Sequence, residues 1–225
     1  MTEHFFNTDN ALWQAVGKAG DLILLTFLTV FCCIPVVTAG ASLSALSYVA
    51  FRIIEHNNEN TWKNFFHSFR QNLAQGIALS IVMLALGFML TYDIWFMRRF
   101  AAMETAGSRL LVVGWGICIF LGLVYTVLCI YLFPLQARYY NSPGVTIKNA
   151  LLLGILKFPK TLQVLFGDIL LVGLTAACYK AIPQIFILPL LFVLPLCAVY
   201  NAWVLRDLLG LEPGKMDKPV PDDCS

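Results

Sequence analysis

Charge along this chain is gathered into short clusters separated by long apolar runs, and the runs fix the first-order picture. Leu110 to Ala137 covers 28 positions without one Asp, Glu, Lys or Arg, bounded by Arg109 and Arg138. A helix of that length reaches about 42 Å at ~1.5 Å per residue, more than the ~30 Å hydrocarbon core of a bilayer. A water-soluble domain would have to bury such a helix on every side, and this chain leaves little else to do it with. Between Asp21 and Arg52 lie 30 more uncharged residues. Pro35 divides them, because it removes an amide donor and clashes with the preceding turn. The first span therefore ends near Cys33 to Val37, and a second helix runs from about Ala39 to Glu55. Gln71 to Tyr92 is a third span, Leu110 to Ala137 the fourth, Thr161 to Tyr179 the fifth and Pro183 to Val204 the sixth.

The segments between the runs follow other periods. Trp62, Phe65, Phe66, Phe69 and Leu73 recur at helical spacing while Lys63, Asn64, His67, Arg70 and Gln71 face the other way, the pattern of an amphipathic helix lying in the interface. A short helix beginning near Ala11, capped by Asn10, would place Phe5, Phe6, Trp13 and Val16 at the membrane surface. Tyr92 and Trp95 are placed for an aromatic belt, with Asp93, Arg98 and Arg99 closing the third span. Pro134 breaks or bends the fourth span as it leaves the core. Pro143 suits a first helical position, and a basic helix with Lys148, Lys157 and Lys160 leads into the fifth span. The expected fold is all-α: a polytopic transmembrane bundle of six spans, five being the alternative, with amphipathic interfacial helices. Residues 1–214 form a single integral membrane domain and residues 215–225 a disordered cytoplasmic tail.

Composition sharpens this reading. Hydrophobic residues make up 59% and charged residues 12% of the chain, about half the charge of an ordinary globular domain, and the mean hydropathy is +0.76. Under six spans, eleven of the 15 Lys and Arg residues fall on one side of the membrane. The positive-inside rule then places both termini in the cytoplasm. Five spans would move the N-terminus outside. A signal peptide ending at the small residues Thr38-Ala39-Gly40 is a competing reading, opposed by the acids Glu3, Asp9 and Asp21 in the leader. Six of the seven cysteines sit in apolar runs, where a thiol behaves as a small hydrophobe. The three histidines, His4, His56 and His67, show no ligand spacing to them, so neither a zinc site nor a disulfide framework is expected. The adjacent Cys32 and Cys33 read as packing, with redox activity as the other possibility.

Spans two and three and spans four and five each enclose a basic interfacial segment, which suggests a parallel repeat. Thr61-Trp62-Lys63-Asn64 would then match Thr146-Ile147-Lys148-Asn149 at an offset of 85 residues.

Several local patterns, taken in order, resemble one family. They are Phe5-Phe6-Asn7, Gly20-Asp21, Ile34-Pro35-Val36-Val37-Thr38-Ala39-Gly40, Phe65-Phe66 with Phe69 and Gln71-Asn72, and Phe133-Pro134 with Ala137-Arg138 and then Lys148-Asn149-Ala150. Together they resemble the YesL-like family across most of residues 5 to 208. The resemblance implies a small bacterial integral membrane protein of the plasma membrane, of unknown biochemical activity. Such proteins are often encoded beside carbohydrate ABC-transporter and polysaccharide-degradation genes. The family offers no catalytic residues to transfer.

Candidate chemistry lies with ionisable groups at depth, because a charge at a helix centre costs about 2.5–3.5 kcal/mol on insertion scales. Asp168 is the one acid well inside an expected span, about 10 Å in if that helix starts at Thr161. Either it lines a polar cavity and binds a cation, a proton or a sugar hydroxyl, or it pairs with a cation such as Arg138, or the span starts later and the acid is interfacial. Asp21 is spaced to form an ion pair with Lys18 at the interface. Arg138 suits a snorkelling anchor, with a lipid phosphate or an acidic partner as alternatives. Pro189 and Pro195 would free the carbonyls of Ile185 and Leu191, as in the broken helices that form midplane sites in transporters. No phosphate loop, paired metal-binding histidines or nucleophile elbow is present, and the basic residues are spread over three loops, so neither an enzyme nor a nucleic-acid binder is expected. No cofactor is implied. The expected partners are the lipid bilayer and membrane subunits of a carbohydrate transporter, with small-residue seams such as Gly40, Ala41, Ser44 and Ala45 serving helix docking. The expected role is an accessory or assembly component of sugar uptake, with an independent small permease or a non-transport scaffold as alternatives.

Overall fold

The computed structural model describes residues 11–55, 60–101, 108–139, 141–181 and 187–210, apart from the side chains at 11–16, 108–110, 181, 187 and 188. The described residues form eight α-helices. These are α1 (Ala11–Cys33), α2 (Ala39–Ile54), α3 (Thr61–Gln71), α4 (Leu73–Ala101), α5 (Ser108–Arg138), α6 (Pro143–Leu156), α7 (Phe158–Ala181) and α8 (Ile187–Leu205). The expected cap at Asn10, the surface positions of Phe5, Phe6, Trp13 and Val16, Arg109, the start of the sixth span at Pro183 and the tail lie outside the described residues or side chains.

Among the described residues, four segments are long and apolar enough to cross a bilayer: Val36–Ile54, Leu73–Ala101, Leu111–Arg138 and Phe158–Lys180. The chain is thus a multi-pass membrane protein by length and composition. The first and sixth expected spans are not among these four, and the apolar stretches Pro143–Leu156 and Pro189–Leu205 are shorter.

Pro35 acts where expected. α1 stops at Cys33, a single 3-10 turn covers Val36–Thr38, and α2 starts at Ala39. The Thr38 hydroxyl, with one proton to give, lies within hydrogen-bond reach of the carbonyls of Cys32 at 2.7 Å and Pro35 at 2.8 Å, which ties the turn to the end of α1. Other boundaries moved. α1 is continuous through Gly20 and Asp21 instead of a short helix followed by a span, since nothing between Lys18 and Leu22 breaks helical geometry. α4 runs past Asp93, Arg98 and Arg99 to Ala101, and its two arginines lie in the last turn, where cations complement the helix dipole. Pro134 neither ends α5 nor separates it from Arg138. α7 begins at Phe158, three residues before Thr161, because only Lys157 separates it from α6.

α2 is the central helix, in contact with α1, α3, α4, α5 and α8. Its small residues explain how so many neighbours reach it. A Cβ on Gly76 of α4 would lie 2.5 Å from the amide nitrogen of Ala41 and 2.7 Å from its Cα, so the two backbones touch only because residue 76 is glycine. The Gly40 amide, left without an intrahelical acceptor at the start of α2, donates to Ser80 Oγ at 2.6 Å. Ser42 Oγ donates to the Thr29 carbonyl at 2.9 Å and joins α2 to α1. The small-residue seam expected to receive a partner is therefore used inside the bundle.

α3 is amphipathic as expected, but its apolar stripe divides. Phe65 and Ser68 are fully buried, whereas Trp62 is 53% exposed. The cause is that α3 folds back along α2 and seals it with Phe65. α6 folds back along α5 in the same manner. The breaks at Asn72 and Lys157 stand 85 residues apart, at the offset of the expected repeat. Corresponding positions Thr61 and Thr146 are both buried, as are Phe65 and Ala150. The outward faces of α4, α5 and α7 are apolar: Phe88 is 77%, Val112 72% and Phe166 69% exposed. An apolar surface this extensive is matched by lipid.

Candidate functional site

The acid at depth, Asp168, lies in the contact between α7 and α8. Gly167 fixes its register, since a Cβ there would run into the Tyr200 ring, and the Tyr200 hydroxyl donates to the Gln163 carbonyl at 2.8 Å. The next residue on each helix is Asp168 and Asn201, and this contact aligns them. Asn201 Nδ2 donates to Asp168 Oδ2 at 3.1 Å, and the Cys197 thiol, one turn before Asn201, is also in hydrogen-bond contact with Asp168. Asp168 Oδ1 and Asn201 Oδ1 are both buried without a hydrogen-bond partner. With α7 starting at Phe158, Asp168 lies about 15 Å along the helix, deeper than the sequence implied. It does not pair with Arg138.

Beside Asn201 is a cleft of about 230 Å³ between α2, α5 and α8. Its lining is mostly apolar and includes Leu46, Phe51, Ile130 and Phe133, with Ser47, Cys129, Cys197 and Asn201 as the side chains able to hydrogen-bond. Asp168 stands behind Asn201, outside the lining. The amide nitrogen is held by the carboxylate, and the carbonyl oxygen of Asn201 is enclosed without a hydrogen-bond donor.

The prolines of the last helix do something different from what their sequence positions suggest. Pro189 falls in the first turn of α8, where an amide has no intrahelical acceptor in any case. The carbonyl of Ile185 lies outside the described residues. Pro195 is inside α8 and buried, and the carbonyl of Leu191 that it frees accepts the Thr26 hydroxyl of α1. The released acceptor thus joins two helices.

A second polar cluster gathers at the ends of α2, α5 and α8. Glu55, directly after α2, has a side chain only 2% exposed, with Arg138 Nη1 3.9 Å from its Oε1. Arg138 Nη2 donates to the Gly210 carbonyl at 3.1 Å, and the Tyr139 hydroxyl to the Leu209 carbonyl at 3.1 Å. The acidic partner of Arg138 is thus within the chain, and sequence reading passed over it because Glu55 looked like the polar end of a helix. Burial pushes the Glu55 carboxyl above the usual range for glutamate, and the nearby Arg138 and Arg52 charges oppose that rise. Lys160 reaches Asp207 Oδ2 at 3.1 Å, and this hydrogen bond and charge hold the Asp207 carboxyl below its ordinary value. Gln136, fully buried, accepts from Ser44 Oγ at 2.8 Å and ties α5 to α2.

The remaining candidates are dispersed. Asp21 is half-buried and Lys18 exposed, and the two are not within ion-pair distance. One turn of separation on a helix permits a pair without enforcing it. Cys32 and Cys33 are free thiols. Among the described residues, no three His, Cys, Asp or Glu side chains are grouped to hold a metal ion. The sequence reading missed Asn201, Gln136 and Thr26. An amide alone in an apolar run was the available signal for the first two.

Residues 10–94, which include α2, α3 and most of α4, match the family described as protein of unknown function DUF624, a domain that YesL-like families carry. No curated protein and no solved structure matches the chain.

Proposed function

We propose that this protein is a non-enzymatic component of the bacterial plasma membrane that serves as an accessory or assembly partner of a carbohydrate importer. In this reading it crosses the bilayer six times, with both termini in the cytoplasm. The sugar-uptake setting comes from the YesL-like resemblance alone, and the architecture bears on the choice between partner and permease.

The observation that supports a partner over a permease is the use made of the two features a permease would employ. The deep acid Asp168 is bonded to Asn201, and the carbonyl freed by Pro195 is bonded to Thr26, so both join helices. The cleft beside them is lined mainly by apolar side chains, a poor match for a polyol whose hydroxyls each need a partner. Basic side chains Lys63, Arg70, Lys148, Lys157 and Arg206 are exposed and, in the six-span arrangement, all face the cytoplasm, where an acidic surface of another subunit would meet them.

The test is purification from native membranes in mild detergent, followed by reconstitution of the isolated chain into vesicles. The expected result is recovery with membrane subunits of a sugar importer and no sugar flux from the isolated chain. Recovery alone, with flux in vesicles, would establish the permease instead.

A further inference from the structure

We propose that the outward face of α3 is a docking surface for an anionic phospholipid of the surrounding bilayer, whose headgroup phosphate meets Lys63, His67 and Arg70 and whose acyl chain lies on Trp62 and Phe66. The inference does not depend on the importer reading, which keeps Lys148, Lys157 and Arg206 for a partner.

Two stripes run side by side along α3. Trp62 and Phe66, one turn apart, have ring centroids separated by 4.8 Å, and Trp62 is 53% exposed. Lys63, His67 and Arg70 recur at i, i+4 and i+7, and all three are exposed. At about 100° per residue the basic stripe lies next to the aromatic one, with Arg70 one turn beyond Phe66. Of Trp62, Phe65, Phe66 and Phe69, only Phe65 is fully buried, so α3 seals the bundle with one ring and leaves the aromatic stripe on the outside. His67 is set against Tyr48 of α2, ring centroids 6.5 Å apart, and the Arg52 guanidinium stands 5.3 Å from the centre of the same Tyr48 ring. Positive charge thus gathers along one side of the contact between α2 and α3.

Whatever covers this face has to bring both an apolar body and negative charge. The sequence has no Asp or Glu from Asn60 to Tyr92, so neither α3 nor the adjoining length of α4 supplies an acid to pair with the basic stripe. The aromatic stripe leads into α4, which starts after the single residue Asn72 and turns Leu73, Ile81, Val82, Leu84 and Phe88 outward. That apolar surface is the one lipid covers. A soluble anion would satisfy the cations and leave Trp62 in water, whereas a neutral lipid would cover Trp62 and leave the cations without counter-charge. A phospholipid of net negative charge does both, the combination that holds basic amphipathic helices at anionic leaflets.

The test uses the full chain in phosphatidylcholine nanodiscs doped with one of two photoreactive lipids, phosphatidylglycerol or phosphatidylcholine with the same diazirine-bearing acyl chain, and maps the adducts by mass spectrometry. The phosphatidylglycerol probe should label residues 60–73 at least about fivefold more than the phosphatidylcholine probe, the margin that one basic side chain supplies at an anionic surface. This preference should collapse in the double variant Lys63→Gln, Arg70→Gln and persist in Lys148→Gln, which removes a cation from α6 instead. Equal labelling of the wild-type chain by the two probes would overturn the proposal and leave the stripe to an acidic protein surface. So would an equal loss in Lys148→Gln, because the preference would then follow overall charge. Removal of the preference by free glycerol phosphate would also overturn it, by assigning the stripe to a soluble anion. The wild-type comparison decides the matter even if the double variant fails to fold.

Discussion

Glu55 shows how little of a residue's situation is written in its immediate neighbours. It follows an apolar helix and precedes a polar loop, the ordinary place for a solvated carboxylate, yet neither of its buried oxygens has a hydrogen bond. Arg138, at 3.9 Å, supplies charge without a hydrogen bond of normal length. Because burial raises the folded-state pKa above that of the unfolded chain, the stability tied to this group is fully present below the unfolded value. It is lost as pH rises through the folded one. Glu55→Gln removes the ionisation. The full-length variant should therefore gain thermal stability relative to wild type as pH increases from about 4 to about 8. Unfolding temperatures of both proteins in detergent across that range provide the check, and a constant difference between them would sink the argument. Sequence reading singled out Arg138 and offered an acidic partner for it, but could not say which acid, since that choice is made by α2 and α5 meeting end to end.

At the scale of elements, helix positions were readable and the roles of their interruptions were not. Pro35 separates α1 from α2, and Pro143 opens α6 at its first position, both as local sterics dictate. Pro134 and Pro195 remain inside helices because packing holds the backbone on both sides of them. The contact between Thr26 and the Leu191 carbonyl yields a sharp expectation. Thr26→Val should cost about 0.6–1.7 kcal/mol, the range for a hydrogen bond between helices in lipid. In a Pro195→Ala background that cost should fall close to zero, because residue 195 regains an amide that can bond to Leu191 within α8. A double-mutant cycle by denaturant unfolding in mixed micelles measures the coupling. An identical cost in the two backgrounds would show that proline and threonine are not linked.

For the molecule as a whole, the charge distribution makes a topological statement that chemistry can check. The side chains of Lys63, Lys148, Arg206 and Arg98 are all exposed. In a Cys224→Ser background, single cysteines at 63, 148 and 206 should react with a membrane-impermeant maleimide only from the cytoplasmic side, and a cysteine at 98 only from the other. Reaction of 63 and 148 from opposite sides would dismantle the six-span arrangement. The meeting of Glu55, Arg138 and Gly210 already brings the ends of α2, α5 and the residues after α8 together, as that topology requires. The 85-residue spacing of the helix breaks fits the same plan, in which an in-going helix, a returning helix and an out-going helix occur twice.

The sequence by itself determined the solvent and the class of structure. Runs without charge exclude water, a 3.6-residue period excludes strands, and proline and charge clusters mark most of the ends, all properties read within one or two turns of the chain. Tertiary structure alone decided the partners: Asp168 with Asn201, the Pro195-freed carbonyl with Thr26, Arg138 with Glu55, and the small-residue seam of α2 with α4 instead of another protein. The physical reason is that a polar group removed from water must take whichever donor or acceptor lies across the nearest helix interface. That neighbour is selected by close approaches at glycine, backbone to backbone at Gly40 and Gly76 and ring to backbone at Tyr200 and Gly167, between residues far apart in the chain.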